Sequence, residues 1–193
     1  MNRNNFFRAI GLGSVSFPFL NFGSMNVIKA EEFYFKDDGS IPNSKFPMLL
    51  YRNAFTARGS SGALWLINRF ESNHWSNSWR NGIYSFHHYH STSHEVLGIY
   101  SGTALVHLGG EQGEKVRVNA GDVMVIPAGV GHKNLGSSSL GVVGAYPEGR
   151  SWDLNRGLAG ERPAVDKNIA ALPIPQTDPI LGMGSGVVSV WNP

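Results

Sequence analysis

Between residues 83 and 146 apolar and polar positions alternate in short runs punctuated by glycine, with run lengths that suit strands rather than helices. Thr103 to Leu108, Lys115 to Val118, Asp122 to Ile126 and Leu140 to Tyr146 each read as a strand. Gly109-Gly-Glu-Gln-Gly113 joins the first two as a hairpin turn rather than a phosphate loop, because it opens no helix. Upstream, Glu31 to Phe35 alternates into a strand closed by the turn Asp37-Asp38-Gly39, and Met48 to Arg52 supplies another. The period changes over Ser60 to Phe70. There Leu64, Ile67 and Phe70, with Ala63 and Leu66 beside them, mark one face of a serine-capped helix packed outside the sheet. A second short helix is expected over Arg162 to Leu172, after Pro163. The tail from Pro173 is rich in proline and glycine, yet it ends in Val187-Val-Ser-Val-Trp191, apolar enough to dock as a strap. These patterns imply an all-β sandwich or barrel with one or two peripheral helices.

A chain of 193 residues suits one domain with a sizeable core. Sixteen basic against 14 acidic residues leave no electrostatic footprint for nucleic acid, and no basic run is interleaved with aromatics. Cysteine is absent, which excludes thiolate zinc sites, disulfides and cysteine nucleophiles. Residues 1–25 have a basic start, a glycine-rich, moderately apolar middle and no acidic residue, the features of an export leader. Arg3, Phe6, Phe7 and Arg8 resemble a twin-arginine signal, although Asn4 stands where the second arginine belongs. Glycines, serines and Pro18 break the apolar run, so no stable membrane span is expected there. The leader therefore implies export to the periplasm, with a cytoplasmic location as the alternative if it does not function, and leaves residues 31–193 as one domain.

Four of the seven histidines lie between positions 87 and 94. His88 and His90 are two apart, so in an extended strand running from Tyr84 to His90 their imidazoles leave from the same face. Reversal through Ser91-Thr92-Ser93-His94 into a strand from Glu95 to Tyr100 would bring the Glu95 carboxylate beside them. His132 opens a later strand after the turn Pro127-Ala-Gly129, and if the two stretches face each other it completes a site of three imidazoles and one carboxylate. His87 has the opposite strand parity and is expected to face outward or toward an interface. His94, in the turn, can swing inward as a ligand or proton shuttle. His74 and His107 have no patterned neighbours and read as structural.

The first stretch fits G-x5-H-x-H-x4-E-x6-G through Gly82, His88, His90, Glu95 and Gly102, and the second fits G-x5-P-x-G-x2-H through Gly121, Pro127, Gly129 and His132. These resemble the two motifs of the cupins. The terminal Asn of the second motif is replaced by Gly136, with Asn134 two residues earlier. Asp38 to Asn43, Trp79 to Tyr84 and Val143 to Glu148 further resemble the YjlB-like cupins, a bacterial group, and the resemblance spans roughly residues 31 to 193. It implies a jelly-roll β-barrel or sandwich holding one divalent metal ion through His88, His90, Glu95 and His132. Only one motif pair is present, which excludes a two-barrel protein, and no helix-turn-helix pattern precedes it. Nitrogen and oxygen donors without sulfur suit Fe, Mn, Ni, Co or Zn, and four ligands leave up to two positions on an octahedral ion open. Two functions follow: a metalloenzyme, an oxidoreductase or isomerase acting on a small oxygen-bearing molecule, or a module that binds a small ligand or the metal without turnover. An enzyme needs a titratable group in the cavity, for which His94, Tyr146 and Glu148 are the catalytic candidates. The expected partner is a small-molecule ligand or substrate, with a homodimer left open.

Overall fold

The computed structural model describes residues 29–192, and the leader expected over residues 1–25 lies outside them. Seven strands form an antiparallel sheet: β1 (Ala30–Phe33), β2 (Met48–Tyr51), β3 (Trp75–Asn81), β4 (Glu95–Leu108), β5 (Glu114–Asn119), β6 (Val123–Ile126) and β7 (His132–Pro147). Their order is β1-β2-β6-β4-β7-β3, with β5 also paired to β4. The long strand β4 organises the fold. Its first half pairs with β6 (Glu95 opposite Ile126), its second half with β5 (Leu108 opposite Glu114), and its other edge runs along β7.

Period-2 alternation sorts the side chains into two apolar layers. Met48, Leu50, Leu97, Ile99, Met124, Ile126 and Val142 lie on the inner face, while Leu49, Tyr51, Val96, Val123, Val125 and Val143 lie on the outer face. The two faces switch parity within β4: Leu97 and Ile99 point inward, and after the irregularities between Ile99 and Thr103 so do Ala104, Val106 and Leu108. Gly102, at φ 68°, takes up the kink in a conformation that most side chains resist. Thus β4 is continuous, where the pattern suggested separate strands on either side of Gly102.

Helix α1 (Gly59–Ser72) covers the outer layer through Gly62, Ala63, Leu66 and Phe70. The expected apolar face was rotated: Leu64 is 54% exposed and Ile67 only half-buried. Nor does a serine cap the helix. Arg58 is the N-cap and makes no side-chain cap bond, its guanidinium donating instead to the Phe55 carbonyl oxygen at 2.8 Å. Gly98 lets α1 approach β4 closely, since a Cβ there would run into Leu66. Helix α2 (Ala164–Ala171) forms where expected. The tail ends in α3 (Val187–Trp191), whose Val187 and Trp191 are buried in the outer layer. Asp178, fully buried, fixes the tail by accepting bonds from the Tyr51 hydroxyl (2.5 Å) and from the backbone N–H groups of Ile180, Leu181 and Val187 (2.8, 2.8 and 3.0 Å).

Candidate metal centre

His88 and His90 do not sit on a regular strand. His88 exchanges backbone hydrogen bonds with His132 (3.2 and 2.9 Å), and the next residue, Tyr89, exchanges them with Asn155 (3.0 Å each way). The partner changes within one residue, so no ladder develops, yet the extended geometry keeps the two imidazoles on one side. The chain then reverses around Asp153. Its carboxylate accepts from the Ser91 N–H (2.6 Å), the Ser91 hydroxyl (2.5 Å) and the N–H and hydroxyl of Thr92 (both 3.2 Å). This delivers Glu95 to the start of β4.

The ligating nitrogen atoms of His88, His90 and His132 lie within 4.8 Å of one another, and all three rings are buried. Glu95 Oε2 stands 3.3 Å from His132 Nε2 and 3.5 Å from His90 Nε2. Two ligands about 2.0–2.2 Å from one ion stand roughly 3.0–3.5 Å apart, depending on coordination angle. Hydrogen bonding also sets the tautomers. Each Nδ1 faces a backbone carbonyl oxygen, Phe86 for His88 (3.3 Å), Val130 for His132 (3.1 Å) and Asp153 for His90. Nδ1 therefore donates, and the Nε2 lone pairs converge on the interior. Glu95 Oε2 is buried and accepts no hydrogen bond. Three lone pairs and an unpartnered carboxylate oxygen make a pocket that suits a cation, so the residues present fit a divalent metal ion.

The electrostatics differ from ring to ring. Burial, with the His132 and His90 rings adjacent, pushes the His88 pKa down to about 2, so this imidazole is neutral and free to ligate. Burial works against charge on His90 as well, but the Glu95 carboxylate outweighs it and raises the His90 pKa. Burial likewise opposes ionisation of Glu95, and His90 and His132 overcome it, holding the carboxyl well below its usual range.

The centre forms the floor of a cavity of about 360 Å³ walled by Trp79, Ile83, Tyr84, Leu97, Tyr146 and Trp152. Tyr146 connects wall and floor: its hydroxyl donates to Glu95 Oε1 (3.0 Å) and accepts from Trp79 Nε1 (2.7 Å). Trp152 stacks on Tyr146 with ring centres 5.9 Å apart and lies 5.1 Å from the His90 ring. Arg80 and Asn81 line the cavity with polar groups.

Of the three groups considered for catalysis, only Tyr146 lines this cavity. His94 points the other way, its Nδ1 accepting from the Ala128 N–H (2.9 Å) and its ring 4.9 Å from that of Trp191. The turn gave it no freedom to swing inward, because β4 begins at the next residue and commits Glu95 to the interior. Glu148 is exposed beyond the end of β7, in a turn at φ 52°. His87 also departs from expectation: its side chain is only 10% exposed and its ring lies 4.9 Å from that of His107. Trp79, Trp152 and Asp153 were not anticipated. Strand β3 carries Trp79, and a bulge between Ser76 and Trp79 breaks the alternation that would have revealed it.

A family profile described as Cupin domain matches residues 81–139, which include all four converging side chains. The uncharacterized protein YjlB of Bacillus subtilis (strain 168) is 40% identical over 166 residues, covering 84% of this chain and 97% of YjlB. Among solved structures, a DUF861 family protein of Thermotoga maritima is 23% identical over 42% of this chain and 84% of its own, with a TM-score of 0.28. An oxalate decarboxylase variant of Bacillus subtilis is 18% identical over 66% of this chain and 30% of its own, with a TM-score of 0.35. Sequence identity along almost the full length of YjlB, together with the motif residues gathered at one buried point, shows that the chain belongs to the cupin family and is related to its YjlB group.

Proposed function

We propose that this cupin is a metalloenzyme whose ion is held by His88, His90, Glu95 and His132, and that it converts a small oxygen-bearing molecule by oxidoreduction or isomerisation. One observation carries the reading: three Nε2 lone pairs and an orphaned carboxylate oxygen converge at the floor of an aromatic-walled cavity. A divalent ion there would polarise a carbonyl or hydroxyl oxygen as a Lewis acid, or serve redox chemistry. The donor set admits Fe, Mn, Ni, Co or Zn. Trp79, Tyr84 and Trp152 wall the cavity and limit the width available to the substrate, and Arg80 at the wall offers a charge to an anionic group. Tyr146 holds a proton at its phenolic oxygen. Burial and the Glu95 charge raise its pKa, so it acts as a hydrogen-bond donor rather than a base.

A second reading, a binding module without turnover, draws on one feature: Tyr146 is already committed to Glu95, and neither His94 nor Glu148 reaches the cavity. Elemental analysis of protein purified without added metal, followed by a screen of sugars, hydroxy acids and diketones with and without oxygen, separates the two. Turnover lost in Glu95→Ala and His132→Ala supports the enzyme, whereas tight ligand binding without product in every metal form supports the module. Turnover that survives both substitutions places the chemistry elsewhere. We further propose export, with the mature chain starting between about residues 25 and 31, on the leader features of residues 1–25. Mass spectrometry from the native host tests this, and an intact Met1 in the cytoplasm would overturn it.

A further inference from the structure

His87 and His107 take no part in the centre above, yet the fold brings them together. His87 alternates with His88 and faces the other side of the segment, toward β4. His107 lies near the end of β4, opposite Lys133 of β7, and Glu111 sits in the turn between β4 and β5. One ligating atom from each of His87, His107 and Glu111 lies within 4.8 Å of the others. His87 Nε2 and Glu111 Oε1 are 3.4 Å apart, too poorly aligned for a hydrogen bond but close to the edge of a tetrahedron around a zinc-sized ion, about 3.4 Å for ligands about 2.0–2.2 Å from the metal. Both ring nitrogens of His87 are buried and unpartnered. Nothing in the fold requires an imidazole there, and an apolar ring would fill the same space without orphaned polar atoms.

We propose that His87, His107 and Glu111 form a second cation site, for a zinc-class divalent ion, distinct from the cavity centre. Two imidazoles and a carboxylate are a zinc donor set that leaves a position for water. Lys133 regulates it. Its ammonium sits 2.5 Å from Glu111 Oε1, the oxygen that faces His87, so cation and ammonium compete for the same carboxylate. The ion binds by displacing Lys133, and the site is therefore weaker than the cavity centre, where no ammonium intervenes. Since His87 adjoins His88 and Lys133 adjoins His132, an ion here steadies two segments that carry cavity ligands.

The site stands independently of the catalytic reading, and zinc stoichiometry on the untagged protein tests it. The wild type should take up two equivalents, the second more weakly. Glu111→Gln, on a side chain 72% exposed and so without consequence for folding, should weaken the second equivalent at least about 10-fold and leave the first unchanged. Lys133→Met should tighten the second by a similar factor, a gain that a merely structural cluster would not give. His90→Ala should weaken the first equivalent and spare the second. Saturation at one equivalent in the wild type would overturn the proposal. So would a second equivalent of unchanged affinity in both Glu111→Gln and Lys133→Met.

Discussion

Replacing Tyr146 by Phe removes one oxygen atom and tests how the cavity wall governs its floor. The hydroxyl donates to Glu95 Oε1 at 3.0 Å and accepts from Trp79 Nε1 at 2.7 Å, while the ring stacks on Trp152. Phe keeps the stacking and the apolar volume, so the change isolates the hydrogen bonds. A bond to an ionised carboxylate contributes about 1.5–3 kcal/mol, and it fixes the rotamer that aims Oε2 at the three Nε2 atoms. At about 1.4 kcal/mol per factor of ten, this corresponds to roughly 10- to 150-fold weaker metal binding, in line with the 10- to 100-fold effects of groups that orient metal ligands. Competition against a chelator of known affinity, at fixed pH, reads it directly. Trp79→Phe leaves the Tyr146 to Glu95 bond in place and should cost less, and the double variant should fall short of the sum because the two groups share one hydroxyl. Affinity in Tyr146→Phe within about twofold of the wild type would refute the coupling of wall to floor.

Two further outcomes are expected. Burial lowers the His94 pKa from 6.5 to about 4, so below pH 6.5 the unfolded chain takes up a proton that folded His94 refuses. Stability is thus complete above about pH 6.5 and falls by roughly 3 kcal/mol as the pH drops through about 4. Denaturant titrations of the wild type and His94→Gln, which share the other histidines, should diverge by about 2 kcal/mol between pH 7.5 and 5, and a pH-independent difference would refute this. Asp178→Ala leaves the Tyr51 hydroxyl and three backbone N–H groups without their acceptor and should destabilise the protein by about 3–5 kcal/mol, with metal affinity in the surviving folded fraction unchanged. Calorimetry showing a loss below about 1 kcal/mol would mean that water replaces the carboxylate.

Three of the four converging residues could be read together because their spacing is local and their chemistry distinctive, while His132 stands in its own frame of Gly121, Pro127 and Gly129. His88, His90 and Glu95 lie within eight residues, and extended geometry with one reversal suffices to gather them. The strands β2, β5 and β6 were legible for a similar reason, each being a short run bounded by turn formers. What failed were features set by distant partners. His94 was ambiguous because parity cannot show which way a turn residue goes when Ala128 and Trp191, far along the chain, provide its surroundings. His87 read as outward because alternation separates faces but does not reveal that the turn bearing Glu111 folds over it. Trp152 and Asp153 come from a loop that carries no periodicity, and their roles depend on docking against residues some 60 positions earlier.

The burial of Trp191 has a consequence for the order in which the chain can mature. Its indole N–H donates to the Pro47 carbonyl oxygen, 144 residues earlier, its ring stacks on Phe46, and it also packs against His94, next to Glu95. At about 5–20 residues per second, a ribosome needs roughly 7–30 s to extend the chain from Pro47 to Trp191. During that interval the outer layer beneath Glu95 lacks its last apolar member, and contacts this distant in sequence are slow to close even once synthesis allows them. The nascent protein therefore exposes part of its core until synthesis is nearly done. His94, and with it the adjoining Glu95, reaches its final support only when the tail docks, so a metal centre built on Glu95 would be completed after translation rather than during it.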